Sequence, residues 1–156
     1  MIKIICCGNR DRGDDGAGLL VADRLAALGV SVERCLGETA ELISAWEGAP
    51  EVVMVDAVVT GTHSGTIHRW DANKSELPTS VPSSTHGMGL GKAIELARVL
   101  GTLPPRLEVF GIEARQFTLG SEASFPVRQA AEHLAKTIAA WHLSRCFRQS
   151  ESQVSG

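Results

Sequence analysis

Two periods of apolar residues alternate along the chain. Ile2, Ile4, Ile5, Cys6 and Cys7 form a short run stopped by Gly8-Asn9, the form of a strand buried on both faces. From about Gly16 the spacing turns helical, with Val21, Leu25 and Leu28 at i, i+4 and i+7 and Gly29 placed to end the helix. Residues 30–35 alternate apolar and polar side chains, and Leu42, Ile43 and Trp46 predict a short helix closed by Gly48 and Pro50. Residues 52–55 are all apolar and predict the most buried strand. Beyond Asp56, Thr60-Gly61 and Ser64-Gly65 punctuate a turn, and residues 66–70 alternate as an exposed strand does, which predicts an antiparallel edge hairpin. Residues 71–85, with Pro78 and Pro82, make a loop long enough to carry function. Helical spacing returns at Leu90, Ile94 and Ala97 and stops at Gly101 and Pro104-Pro105. Leu107, Val109 and Ile112 give a further strand, and Pro126 opens a last helix buried through Val127, Ala130, Leu134, Ile138 and Trp141.

Strands alternating with helices predict an α/β fold: a three-layer α/β/α sandwich on a mostly parallel five-stranded sheet with one antiparallel edge strand. The 156 residues fit one domain over residues 1–147, followed by a polar, disordered tail at 148–156. In such sheets ligands bind beyond the carboxyl ends of the strands where the winding reverses, so the loops after the first and third strands come first for chemistry. A net charge of −3 with scattered basic residues argues against nucleic acid. No apolar run approaches the roughly 18 residues of a spanning helix, and the short apolar start passes at once into GNRDRG, unlike a signal peptide. A cytoplasmic protein with no membrane partner is expected. A monomer is expected too, since the sheet uses the apolar face of the last helix. Cys6 and Cys7 are adjacent while Cys35 and Cys146 stand alone, so reduced, mostly buried thiols are expected rather than a metal clip.

The first loop, Gly8-Asn9-Arg10-Asp11-Arg12-Gly13-Asp14-Asp15-Gly16-Ala17-Gly18, concentrates acids and glycines between a strand and a helix. It lacks both nucleotide-binding glycine patterns, and its aspartates would repel an anion. Asp14 or Asp15 could cap the helix and favour its positive end. Asp15 has a second prospect, because Asp56 closes the third strand and should project into the same crevice. Converging carboxylates need a shared proton or a cation, and a metal ion is the simpler resolution at neutral pH. Of five histidines, His63 and His68 fall in the edge hairpin and His133 and His142 in the last helix, where surface or hydrogen-bonding roles suit them. His86, between Ser83-Ser84-Thr85 and Gly87-Met88-Gly89, is the better third ligand. One histidine and two carboxylates suit nickel or zinc without selecting one. Ser83 and Ser84 neighbour His86, but neither lies in a nucleophile elbow.

The order and spacing of GNRDRGDDGAG, VVMVDAVVTG, SSTHGMGL and the late GIEA segment resemble the hydrogenase maturation endopeptidase family over nearly the whole chain. The resemblance implies an enzyme that removes the C-terminal extension of a nickel-iron hydrogenase large-subunit precursor after nickel insertion. It assigns the metal site and catalysis to Asp15, Asp56 and His86, with nickel supplied by the precursor, although zinc could occupy the same ligands. It also implies a partner, the large-subunit precursor. Where many relatives carry a DGGT-like stretch this chain reads Cys35-Leu36-Gly37-Glu38-Thr39, and Asn9, Gly37, Glu38 and Thr39 are assigned to substrate binding. Glu38 could add a carboxylate near the metal or simply precede the second helix. The alternatives are a non-catalytic nickel-binding accessory protein of hydrogenase assembly and a hydrolase of a small amide or ester on the same fold.

Overall fold

The computed structural model describes residues 2–74 and 89–154. Five strands, β1 (Ile2–Cys7), β2 (Glu33–Cys35), β3 (Glu51–Val58), β4 (Ile67–Asp71) and β5 (Arg106–Glu113), form one sheet in the order β2-β1-β3-β5-β4. Its pairs are parallel except β4 with β5. The helices are α1 (Ala17–Ala27), α2 (Thr39–Trp46), α3 (Gly89–Leu100) and α4 (Phe125–Val154), and a 3-10 turn over Gly13–Gly16 leads into α1.

Successive residues of a strand face opposite sides, and here each side meets a different pair of helices. Ile4, Cys6, Val53, Val55 and Ile112 pack with Val21 and Leu25 of α1 and Val127, Leu134 and Ile138 of α4. Ile5, Cys7, Val52, Met54, Leu107 and Val109 pack with Leu42 and Trp46 of α2 and Leu90 and Ile94 of α3. The expected α/β/α sandwich is therefore present. Burial on both faces is why the inner parts of β1 and β3 read as continuous apolar runs, whereas β5 interrupts its apolar residues with Glu108, which pairs with Arg69 of the edge strand.

Four details depart from the sequence reading. The second strand is only Glu33–Cys35, because its first two residues are exposed and little apolar surface is gained by extending it. Asp56 does not close β3, which continues through Ala57 and Val58 in register with Ile112 and Glu113. The edge strand β4 is antiparallel but forms no hairpin with β3, since β5, buried nearly throughout, is inserted between them. Residues 148–154, assigned to a disordered tail, continue α4 to Val154. That stretch contains neither glycine nor proline to break the backbone hydrogen bonding.

Candidate active site

The loop after β1 is held against the tips of β1 and β3 by a close backbone approach. A Cβ at Gly18 would lie 2.0 Å from the Cys7 carbonyl oxygen and 2.9 Å from that of Val55, so only glycine lets the first turn of α1 sit there. Asn9 N–H donates to the Asp15 carbonyl at 3.1 Å, and Asp15 N–H donates to that of Arg12 at 3.1 Å, closing the loop on itself.

Asp14 is fully buried and faces the loop that follows β5. Its Oδ2 accepts the backbone N–H groups of Arg115 at 2.9 Å and Gln116 at 3.0 Å, and its Oδ1 accepts that of Ser124 at 2.7 Å. Burial raises its pKa, but these donations outweigh it and leave the carboxyl below its ordinary value. Asp14 N–H to Gln116 C=O at 2.7 Å and Gly13 N–H to Ser121 C=O at 3.0 Å complete the tie between the two loops. Asp14 is thus a structural clamp.

Asp15 and Asp56 are electrostatic neighbours at the carboxyl end of the sheet. Asp56 is half-buried. Burial first, then the charge of Asp15, push its pKa up to about 8 against the opposing hydrogen bond from Ala57 N–H to its Oδ1 at 2.8 Å. By strand alternation Asp56 continues the side of Val52 and Met54, the side covered by α2 and α3.

The loop after β2 borders the same end. Gly37 has φ +100, and its N–H and that of Leu36 both donate to Glu41 Oε1, at 3.0 and 2.8 Å. A Cβ at Gly89 would lie 1.8 Å from the Gly37 carbonyl oxygen, so the start of α3 and this loop meet backbone to backbone.

A second buried acid, Glu113 at the end of β5, anchors the loop after β3. It is 1% exposed and accepts Thr60 N–H at 2.8 Å, the hydroxyls of Thr60 at 2.5 Å and Thr62 at 2.8 Å, and the edge of His68 at 3.0 Å. Burial alone would raise its pKa, but these donors hold it at about 2. Both threonine hydroxyls donate to the carboxylate, and the same Nε2 of His68 faces all three groups. The cluster therefore lacks the two-sided histidine that activates a hydroxyl nucleophile.

The family model HycI, described as hydrogenase maturation protease, matches residues 37–141. The chain belongs to the hydrogenase maturation protease family. The matched span contains Asp56 and position 86, and Asp15 precedes it. Among solved structures the chain is similar to the NiFe hydrogenase maturation protease HycI from Thermococcus kodakarensis KOD1, at 28% identity and a TM-score of 0.63 over 89% of this chain and 90% of that one. It is also similar to the NiFe hydrogenase maturation protease HybD from Thermococcus kodakarensis, at 26% identity and a TM-score of 0.67 over 88% and 98% of the two chains. The endopeptidase HycI from Escherichia coli shares the fold, with a TM-score of 0.73 at 23% identity over 91% of each chain. No curated protein matches the sequence.

In this hydrogenase maturation protease the structure brings Asp15 and Asp56 together, whereas His86, Ser83 and Ser84 lie outside the described residues. Among the described residues no group of three or more metal-ligating side chains is assembled. Asn9 spends its Oδ1 on the N–H of Asp11 at 2.9 Å. Glu38 is exposed and precedes the second helix as its N-cap, with Thr39 opening α2. His68 has the hydrogen-bonding role expected of it. Cys35 is not isolated: it pairs in register with Cys7, a contact between strands far apart in sequence. The roles of Asp14, Glu41 and Glu113 were also missed. Asp14 and Glu113 depend on partners distant in sequence, whereas Glu41, four residues after Gly37 at the start of a helix, left a local trace. No helix among the described residues is long and apolar enough to cross a membrane.

Proposed function

We propose that this chain is the endopeptidase that removes the C-terminal extension of a nickel-iron hydrogenase large-subunit precursor after nickel insertion, and that Asp15, Asp56 and His86 recognise the nickel the precursor carries. One observation carries the reading: at the carboxyl end of the sheet, burial and the charge of Asp15 favour the protonated form of Asp56. A cation arriving there relieves the repulsion and takes the place of that proton. Two carboxylates and one imidazole suit a borderline ion, and zinc is the natural competitor for the same ligands.

In the reaction, water adds to the scissile carbonyl carbon and the C–N bond breaks. The new carboxyl group stays on the large subunit, and the amine leaves with the extension. Held by these side chains, the precursor's nickel polarises the carbonyl or activates the water, while the protein fixes the geometry. Gly37 and Glu38, on the loop that meets the start of α3, Thr39 at the start of α2, and Asn9 contact the precursor around the bond to be cut. A precursor without nickel lacks the ion that completes the site, so it is not processed.

The test is incubation of the purified protein with nickel-loaded and nickel-free precursor, following loss of the C-terminal extension by mass. Cleavage of the loaded form alone is expected. Equal cleavage of both forms removes the nickel requirement, and nickel binding with no cleavage of either moves the protein to an accessory role.

A further inference from the structure

Cys7 and Cys35 end β1 and β2 as register partners in a parallel pair. Both thiols enter the same core layer, with Leu42 and Leu90, whereas Cys6 turns to the opposite layer with Val21 and Val55. All three are free thiols. The two neighbouring thiols act on each other's protonation in opposite senses. The Cys35 thiol first, then burial, raise the pKa of Cys7, while the effect of the Cys7 thiol outweighs burial and lowers that of Cys35. Cys35 is 6% exposed and Cys7 fully buried, so the thiol with more thiolate character is also the one nearer solvent. Neighbouring strands lie about 4.8 Å apart, inside the span of about 4.4–6.8 Å between Cα atoms that a disulfide bridges.

We propose that Cys7 and Cys35 are an oxidative modification site, closing to a reversible intramolecular disulfide when a peroxide reaches Cys35. The Cys35 sulfur attacks the peroxide O–O bond and becomes a sulfenic acid, releasing hydroxide when the oxidant is hydrogen peroxide. The Cys7 sulfur then displaces the sulfenic oxygen, which leaves as water with the Cys7 proton. Overall, two thiols and one hydrogen peroxide give one disulfide and two waters, the electron pair passing from sulfur to peroxide.

The position of the link gives it a consequence. Cys7 leads directly into the loop bearing Asp15, and Cys35 into Leu36, Gly37 and Glu38. The two are already joined by the Gly8 N–H to Cys35 C=O bond at 3.1 Å. The Cys7 carbonyl also underlies the close approach of Gly18, so drawing β1 and β2 together moves the roots of both loops.

The experiment uses the Cys146→Ser protein, which removes the exposed thiol on α4. It is treated with hydrogen peroxide, denatured, alkylated, and analysed by intact mass and peptide mapping. Expected are the loss of two hydrogens, a Cys7–Cys35 linked peptide, an alkylated Cys6, and full reversal by dithiothreitol. Adding Cys7→Ala or Cys35→Ala abolishes the link. A link through Cys6, or overoxidation of Cys35 without a link, overturns the proposal, and the Cys146→Ser protein alone decides this if an alanine variant fails to fold. The effect on turnover rests on the proposed processing reaction. Oxidised protein should process nickel-loaded precursor roughly tenfold to a hundredfold more slowly, as misplacement of a site by about 1 Å would cause. A link that forms and leaves processing unchanged overturns that consequence. If the reduced protein does not process the precursor at all, the processing assignment fails while the mass result still decides the link.

Discussion

Replacing Asp14 by asparagine tests whether the clamp between the first loop and the loop after β5 is as important as its geometry implies. The carboxylate accepts three backbone N–H groups, two at Oδ2 and one at Oδ1. An asparagine that keeps its oxygen toward Arg115 and Gln116 turns its amide N–H groups toward the N–H of Ser124. One buried donor then loses its acceptor, at about 1–3 kcal/mol, and two hydrogen bonds lose charge assistance worth about 1 kcal/mol together. The total is about 2–4 kcal/mol, against the roughly 5–15 kcal/mol that holds a domain together. Asp14→Asn should therefore fold with a clearly lowered urea midpoint and an unchanged denaturant slope at pH 7. The pH dependence adds a sign. The folded-state pKa of Asp14 lies below the ordinary 3.8, so its contribution is present above that pH and is lost as the pH falls below it. Wild type and variant should converge in acid. A variant within about 0.5 kcal/mol of wild type at pH 7, or a gap that does not narrow on acidification, would refute the clamp.

The same linkage predicts that Glu113→Gln costs about 3 kcal/mol at pH 7, from the fall of its pKa from 4.5 to about 2. Present above about 4.5, this contribution disappears as the pH drops toward about 2, so urea titrations should show the variant's deficit vanishing over that window. Gly18→Ala forces a Cβ against two strand carbonyls and should cost about 1–3 kcal/mol. Gly91→Ala, in α3 with nothing within 4 Å of the added Cβ, should instead stabilise by about 0.5–1 kcal/mol, and the pair can be compared by thermal unfolding. Asp56→Asn removes a crowded acid, so it should unfold at an equal or higher urea concentration than wild type at pH 7 while losing precursor processing. Retained processing would remove Asp56 from the site.

What was legible in the sequence is what periodicity and punctuation encode. Ile2 to Cys7 and Val52 to Val55 announce strands buried on both faces, Leu107, Val109 and Ile112 a further strand, and the carboxyl-end rule then points to the loop bearing Asp15 and to the end of the strand bearing Asp56. Pairing order is not local, so residues 66–70 read correctly as an edge strand but were joined to the wrong neighbour. Glu113 was visible only as part of the GIEA segment, because its donors Thr60, Thr62 and His68 lie some 45 to 53 residues away. Cys35 looked solitary for the same reason. The end of α4 differs in kind: its polarity predicts a disordered tail, yet a polar exposed segment can extend a helix already nucleated by packing.

Asp14 and Asp15 show how one loop makes both a scaffold and a candidate site from identical neighbours. They sit in a 3-10 turn, where successive side chains diverge by about 120° because three residues complete a turn. Asp14 is thereby directed into the amides of the loop after β5, while Asp15 acts on Asp56. Holding two acids within reach of each other costs free energy that the chain could relieve by letting the first loop swing away. Two features oppose that motion: the three N–H donors on Asp14 and the backbone contact of Gly18 with β1 and β3. Each holds a different end of the loop, one against the loop after β5 and the other against β1 and the strand that carries Asp56. The repulsion at Asp56 is therefore retained in the folded protein, where the proposed cation would relieve it.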